Sequence, residues 1–233
     1  MPESDAETIR PRIALIHALE ESVAPITEAF GRIWPEAQIA HLLDASLSAD
    51  LARAGTLDDA MVERFLTLGR YAASGRGDHD TRAILFTCSA FGPAIEAVKS
   101  DLSVPVLRPN EAAFDEVLAL GNRIALVTTF PPSLPALTRE LQQMAEARGR
   151  AVSVVPVLAE GALAALKAGD GPGHDAAVRR ACYDLDDIDG VVLGQFSLAR
   201  AADVLGRDIA CPIVTTPDSA VRALRRLIHP NQM

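Results

Sequence analysis

The segment Arg12-Ile-Ala-Leu-Ile-His17 returns in the second half of the chain as Arg123-Ile-Ala-Leu-Val-Thr128, and this echo limits the fold more than any other feature. Each copy is a short apolar run that turns polar at its C-terminal end. A second pair repeats the form: Ala83-Ile-Leu-Phe-Thr-Cys-Ser-Ala-Phe-Gly92 is matched by Gly190-Val-Val-Leu-Gly-Gln-Phe-Ser-Leu-Ala199, which sets Cys88 opposite Gln195. A chain that repeats strand, polar turn and helix in this way reads as two copies of one lobe.

Runs rich in Ile, Val and Leu predict strands at Ile13–His17, Ile39–Asp44, Ala83–Thr87, Val104–Leu107, Ile124–Thr128, Val152–Val157, Val191–Leu193 and Ile213–Thr215. Several are apolar on consecutive residues, so helices should cover both faces of a parallel sheet. Helices are expected to begin near Val23, Asp58, Pro93, Asn110, Ser133, Glu160, Asp175, Ser197 and Asp218, several opened by a capping residue or by proline. The Gly-rich segments Ser74–Gly77 and Gly169–Gly173 read as short connectors. Aromatics are only 4% of a chain that is 49% hydrophobic, so aliphatic side chains must build the core. The expected fold is α/β: two flavodoxin-like lobes, residues 1–108 with 216–233 carrying Cys88, and residues 109–215 carrying Gln195.

Net charge is −9 and the pI near 5.0, with no basic stripe, which excludes nucleic acid as the expected partner. Arg222, Arg225 and Arg226 fall in the last turns of a terminal helix, where cations are favoured, and take no functional role. Three well-separated cysteines without CxxC spacing argue against a disulfide framework or a zinc site, and the thiols are expected to be reduced. The acidic, polar N-terminus lacks a signal-peptide core, and no stretch approaches the ~18 apolar residues of a membrane span. The expected location is the cytoplasm, without membrane contact.

In open parallel sheets ligands gather beyond the carboxyl ends of the strands. The polar residues that end strands are therefore the candidates: His17, Asp44, Thr87, Cys88, Ser89, Thr128, Thr129, Gln195, Ser197, Thr215 and Thr216. Cys88 precedes an expected helix start, which should favour the thiolate and suit it as base or nucleophile. Cys182, inside a helical pattern, and Cys211, before Pro212, read as core or connector residues. His17 is a candidate acid, base or ligand, while His41 reads as structural. Asp78-His79-Asp80 follows a Gly-rich loop and reads as a solvated turn rather than metal ligands. No Walker loop, GxGxxG or GxSxG motif is present.

Phe86-Thr-Cys-Ser-Ala-Phe-Gly92, Val191-Val-Leu-Gly-Gln-Phe-Ser197, Leu42-Leu-Asp-Ala-Ser46 and the strand ends at His17 and Thr128-Thr129-Phe130 resemble the aspartate/glutamate and hydantoin racemase superfamily over essentially the whole chain. The resemblance implies pseudo-symmetric lobes, an active site in the interlobe cleft, no metal or organic cofactor, a small carboxylate or cyclic amide as substrate, and a homodimer. Racemases of that superfamily use two cysteines, one per lobe, on opposite faces of a carbon beside a carboxylate or carbonyl. Here the first matches Cys88, but the second position is Gln195, whose amide cannot usefully exchange a proton at neutral pH. Arylmalonate decarboxylases keep one cysteine, in the other lobe, and maleate isomerases use the first-lobe cysteine as a nucleophile.

Three functions follow as expectations. The first is a cofactor-independent isomerase or racemase-like enzyme with Cys88 as base or nucleophile. In it His17, Ser89, Thr128, Thr129, Gln195, Phe196 and Ser197 bind substrate, with Ser89 and Thr129 as oxyanion donors. The second is a single-cysteine decarboxylase of a malonate-type substrate. The third is a non-catalytic binder of small carboxylates.

Overall fold

The computed structural model describes residues 10–75 and 80–230. Two parallel four-stranded sheets have the same internal order. In the first, β1 (Arg12–His17), β2 (Gln38–Leu43), β3 (Thr81–Phe86) and β4 (Val106–Leu107) lie as β2-β1-β3-β4. In the second, β5 (Arg123–Thr128), β6 (Ser153–Leu158), β7 (Gly190–Leu193) and β8 (Ile213–Thr215) lie as β6-β5-β7-β8. β1 and β5, which carry the echoed sequence, hold the same place: Ile13 pairs with Ile39 and Ala83, and Ile124 with Val154 and Gly190. The architecture is α/β with two lobes.

Helices cover both faces of each sheet, as the consecutive apolar residues require. One face of the first sheet packs Ala14, Ile16, Ile84 and Phe86 against α2 (Ser46–Ala54), α3 (Asp59–Ala73) and α4 (Gly92–Asp101) through Leu47, Phe65 and Ile95. The other packs Ile13, Leu15 and Leu85 against Ile26, Phe30 of α1 (Val23–Ile33) and Trp34 just beyond it, together with Ala220, Val221 and Leu224 of α10 (Thr216–Ile228). In the second sheet Ile124, Leu126 and Val192 meet α5 (Glu111–Leu120) and α6 (Ser133–Glu146), while Val127 and Val191 meet the side of α8 (Gly171–Ala181). Two shorter helices, α7 (Ala162–Lys167) and α9 (Ala202–Leu205), complete the second lobe.

The chain passes between the sheets twice, through residues 108–110 into α5 and from β8 into α10. Arg222 of α10 donates to both carboxylate oxygens of Glu116 on α5 at 2.9 Å, and Arg225 donates to the Ile33 carbonyl at 2.9 Å. Two of the three terminal arginines therefore pin α10 to its neighbours.

The structure differs from the sequence expectations at several points. α2 was not anticipated, because Ser46–Ala54 buries only Leu47 fully and so has a weak apolar stripe. The helix expected near Asp175 begins at Gly171, inside the presumed connector, since Asp170 caps it by accepting from the Gly173 N–H at 2.8 Å. The helix expected at Ser197 is a 3-10 segment, Phe196–Ala201, followed by α9. β4 keeps only Val106–Leu107 of the four residues expected, with Pro105, which has no N–H, at its start. Asp78 and His79 lie outside the described residues.

Candidate functional site

The carboxyl end of β1 is a closed hydrogen-bond network. His17 is 0% exposed, and its Nδ1 lies 2.9 Å from both Ser22 Oγ and Thr87 Oγ1, with Nε2 2.9 Å from Nδ1 of His41. The Ser22 hydroxyl donates to the Leu19 carbonyl at 2.7 Å, so Ser22 Oγ must accept the other contacts. A His17 that donates from Nδ1 and accepts at Nε2 from Nδ1–H of His41 satisfies these contacts. Burial, and secondly the neighbouring His41, pull His17 down to about 4, so the ring is neutral at physiological pH. Both ring nitrogens are engaged by protein groups, and His17 locks the end of β1 to β2, to the turn Glu20–Ser22 and to the end of β3. His41, read as structural from sequence, is half of that lock.

Cys88 follows β3 and lines a small recess with Ile16, His17, Ala18, Leu47, Phe65 and Phe86. The recess is too tight for a water molecule. Part of the residue reaches solvent, but these mostly apolar walls set its acidity: burial pushes the thiol up to about 11, and hydrogen bonding to the Ala90 backbone and the Ser48 side chain offsets only a fraction. The expected thiolate is therefore corrected to a neutral thiol. Cys88 caps a three-residue 3-10 turn, Ser89–Phe91, that runs on into α4 at Gly92, and burial outweighs what the N–H groups of this start contribute. Cys182, 2% exposed in the second-lobe core, is likewise pushed to about 11, and burial also raises Cys211. Acidity does not single out Cys88; its place at a strand end does.

The second-lobe edge is built around Gln195. Gly194 lets β7 end tightly there, since a Cβ on it would stand 3.0 Å from Leu126 Cδ1 and 3.2 Å from the Val127 carbonyl oxygen. Gln195 Oε1 accepts from the Thr129 backbone N–H at 2.7 Å and from the Thr129 hydroxyl at 2.8 Å. Thr129 was expected to supply oxyanion donors, and both of them are already committed to Gln195. Phe196, expected to touch substrate, is 2% exposed and sits in the core cluster with Phe30 and Val221. Ser89 and Ser197 are half-buried on the two 3-10 segments. Thr128 is fully buried on the face shared with Leu126, and its hydroxyl has no partner among the described residues.

Three further polar groups share this edge. Thr215 and Thr216, at the β8–α10 junction, and Asn110, at the start of α5, are buried with side-chain atoms unpartnered among the described residues. Asn110 was read from sequence only as a helix start, and nothing in its spacing marks more. The turn Glu20–Ser22 of the first lobe touches the segment Phe196–Ala201 of the second, and the turn Ser89–Phe91 touches α6. These contacts bring strand-end turns of the two lobes together. Among the described residues no three His, Cys, Asp or Glu side chains converge as a metal site would require.

Two parallel-sheet lobes of equal strand order, joined by two crossings, define a two-lobed α/β protein. Residues 24–224 match the Asp/Glu/Hydantoin racemase family model, and the chain belongs to that family. Solved structures agree on the fold. Glutamate racemase from Francisella tularensis in complex with D-glutamate superposes with a TM-score of 0.70 at 16% identity, covering 96% of this chain and 82% of that one. Allantoin racemase from Klebsiella pneumoniae gives 0.68 at 19% identity, covering 94% and 88%. A glycine-to-cysteine mutant of arylmalonate decarboxylase gives 0.62 at 17% identity, covering 95% and 94%. No curated protein matches the sequence.

Proposed function

We propose that this chain is an enzyme that moves a proton at the carbon next to a carboxylate or carbonyl of a small molecule, with Cys88 as the proton-transferring group and without a cofactor. In this reading residues 1–108 with 216–233, and 109–215, are the two halves of the site, and the substrate lies between Cys88 and Gln195. Family membership supports isomerase-class chemistry. The single observation that carries the residue assignment is the asymmetry of the two strand ends: a neutral thiol after β3 stands in the place that an amide takes after β7.

As an isomerase, the thiolate of Cys88 takes the α-proton and the thiol returns a proton to the resulting enediolate. A thiol held near 11 supplies little thiolate at neutral pH, but that thiolate is a strong base. Ser89, Ser197 and the unpartnered Thr128 hydroxyl are the groups left to receive the oxygens of the enediolate, Thr129 being engaged with Gln195.

A second reading is favoured by the neutral state of Cys88. A malonate-type acid that loses carbon dioxide needs no base: the bond to the departing carboxylate supplies the electron pair, and the thiol protonates the carbanion from one face. The thiolate left behind then takes a proton from solvent.

Both readings are tested by proton NMR in heavy water with a panel of chiral carboxylates, substituted malonates and hydantoins. Isomerase chemistry incorporates deuterium at the α-carbon, lyase chemistry releases carbon dioxide and leaves one deuterium, and Cys88→Ala abolishes either. Equal turnover by Cys88→Ala removes the cysteine from the mechanism. Inertness of the wild type towards the whole panel refutes the reading.

A further inference from the structure

The recess beside Cys88 has one wall that is not part of the body of the lobe. Its other sides come from the ends of β1 and β3 and from Phe65 of α3, and Leu47 is the one α2 residue that closes it. α2 is lightly fastened. Leu47 is its only fully buried residue, Leu51 is half-buried on the same core, and Ala49, Ala52, Arg53 and Ala54 are exposed. Among the described residues no helix or strand packs along α2 in the way that α3 and α4 pack on each other.

The second lobe supplies the contrast. The Asp44 N–H donates to the His17 carbonyl at 3.0 Å and the Leu47 N–H to the Asp44 carbonyl at 3.2 Å. In the same pattern the Ala159 N–H donates to the Thr128 carbonyl at 2.8 Å and the Ala162 N–H to the Ala159 carbonyl at 3.3 Å, so α7 is the counterpart of α2. α7 lies along α8, and its Ala162 stands where α2 carries Leu47. Only the lobe with the cysteine has this helix undocked. Few buried apolar contacts and little tertiary packing mark a segment that opens before the rest of the fold.

What holds α2 down is polar. Arg64 of α3 donates from Nη1 to Asp50 at 2.6 Å, and from Nη2 to Asp44 at 2.7 Å and to the Ser46 hydroxyl oxygen at 2.6 Å. One guanidinium thus grips the end of β2 and the first half of α2, and the Ser48 hydroxyl adds a bond to the Ala18 carbonyl at 2.8 Å. Both ion pairs are about a third exposed, where such pairs contribute modestly and weaken with salt. The helix ends at Gly55, whose φ of 74° is left-handed and gives the chain a place to turn.

We propose that α2 is a lid over the Cys88 recess and that Arg64 is its catch. When the catch lets go, Leu47 withdraws with the helix, and the recess, closed even to water, opens beside the sulfur. The use of this lid in turnover rests on the proposed role of Cys88; its existence does not.

The test needs no substrate. Wild type and Arg64→Gln are compared by native-state hydrogen exchange and by iodoacetamide labelling of Cys88, both read by mass spectrometry, at low salt and in 1 M salt. At low salt, exchange in residues 46–54 and labelling of Cys88 should both rise in the variant by roughly threefold to tenfold, the factor that losing two half-exposed ion pairs allows, while β1 and α4 keep their wild-type exchange. Removing a cation cannot itself raise the thiolate fraction, so faster labelling reads access. Salt should move the wild type towards the variant and leave the variant unchanged. Unchanged exchange and labelling overturn the proposal, and so does a rise in one without the other, which would separate α2 from Cys88. If the variant exchanges faster in every element, the wild-type salt series decides, and no effect of salt on α2 and Cys88 there overturns the lid. A protein that shows the lid but turns over no substrate loses only the chemistry assigned to Cys88.

Discussion

Acidification should weaken the fold through His17 in a way that one substitution removes. A histidine held at about 4 in the fold and at its ordinary 6.5 in the unfolded chain favours the fold while it is neutral. Its contribution is fully present above pH 6.5 and is lost as pH falls towards 4. His17 is 0% exposed, so solvent screens little of the effect. A shift of roughly 2.5 units corresponds to about 3 kcal/mol in all, of which about 2 kcal/mol disappears between pH 7 and pH 5. The carboxylates held low by hydrogen bonds and ion pairs, Asp44, Asp175 and Asp189, change charge below that window. Urea unfolding of the wild type and of His17→Gln at pH 7, 6 and 5 reads out His17 together with its ring partner His41, which burial also holds low. The variant should be less stable at pH 7, because it breaks the contacts to Ser22, Thr87 and His41, but its stability should fall by about 2 kcal/mol less on going to pH 5. If both proteins lose stability in parallel, His17 is not the buried neutral lock described.

Three other outcomes follow. Alkylation of Cys88 by iodoacetamide should be slow at pH 7 and rise with pH towards a midpoint near 11, with Cys182 slower still because it is buried; a Cys88 midpoint below 8, read by mass-spectrometric mapping, would mean that the thiolate is the resting form. Phe65 stacks on Phe86 with centroids 5.3 Å apart and lies tilted against Phe91 at 4.7 Å, so Phe65→Ala should cost about 3–5 kcal/mol in chemical denaturation; a loss under 1 kcal/mol would contradict the packing. A homodimer is expected, and light scattering at micromolar concentration that gives the monomer mass would discard it.

How much of this was legible in the sequence depended on whether the cause was local. The strands were, because runs such as Ile13–Ile16 and Ile124–Val127 are apolar on every residue and have only one environment that buries both faces. α2 was not, because its place is set by Leu47 dropping onto Phe65 and Phe86, a contact between distant segments. Polar residues at strand ends could be collected by position alone. What each of them does could not: Thr129 and Gln195 are 66 residues apart and meet only through the parallel register of β5 and β7, and the captivity of His17 requires Ser22, Thr87 and His41 together. The acidity of Cys88 was misjudged for the same reason. A helix dipole can be guessed from sequence order, but the apolar walls from α2 and α3 that outweigh it cannot.

The central claim is that one thiol, Cys88, serves one face of the reacting carbon while Gln195 opposes it without an exchangeable proton. The most direct measurement follows a single enantiomer of a turned-over substrate in heavy water by NMR and chiral chromatography together. The wild type should exchange the α-proton with retention of configuration, or yield one enantiomer of a decarboxylated product, and Gln195→Cys should introduce or raise racemisation by supplying a proton donor on the second face. Rapid racemisation by the unmodified protein would contradict the account and would place a second acid in the cleft.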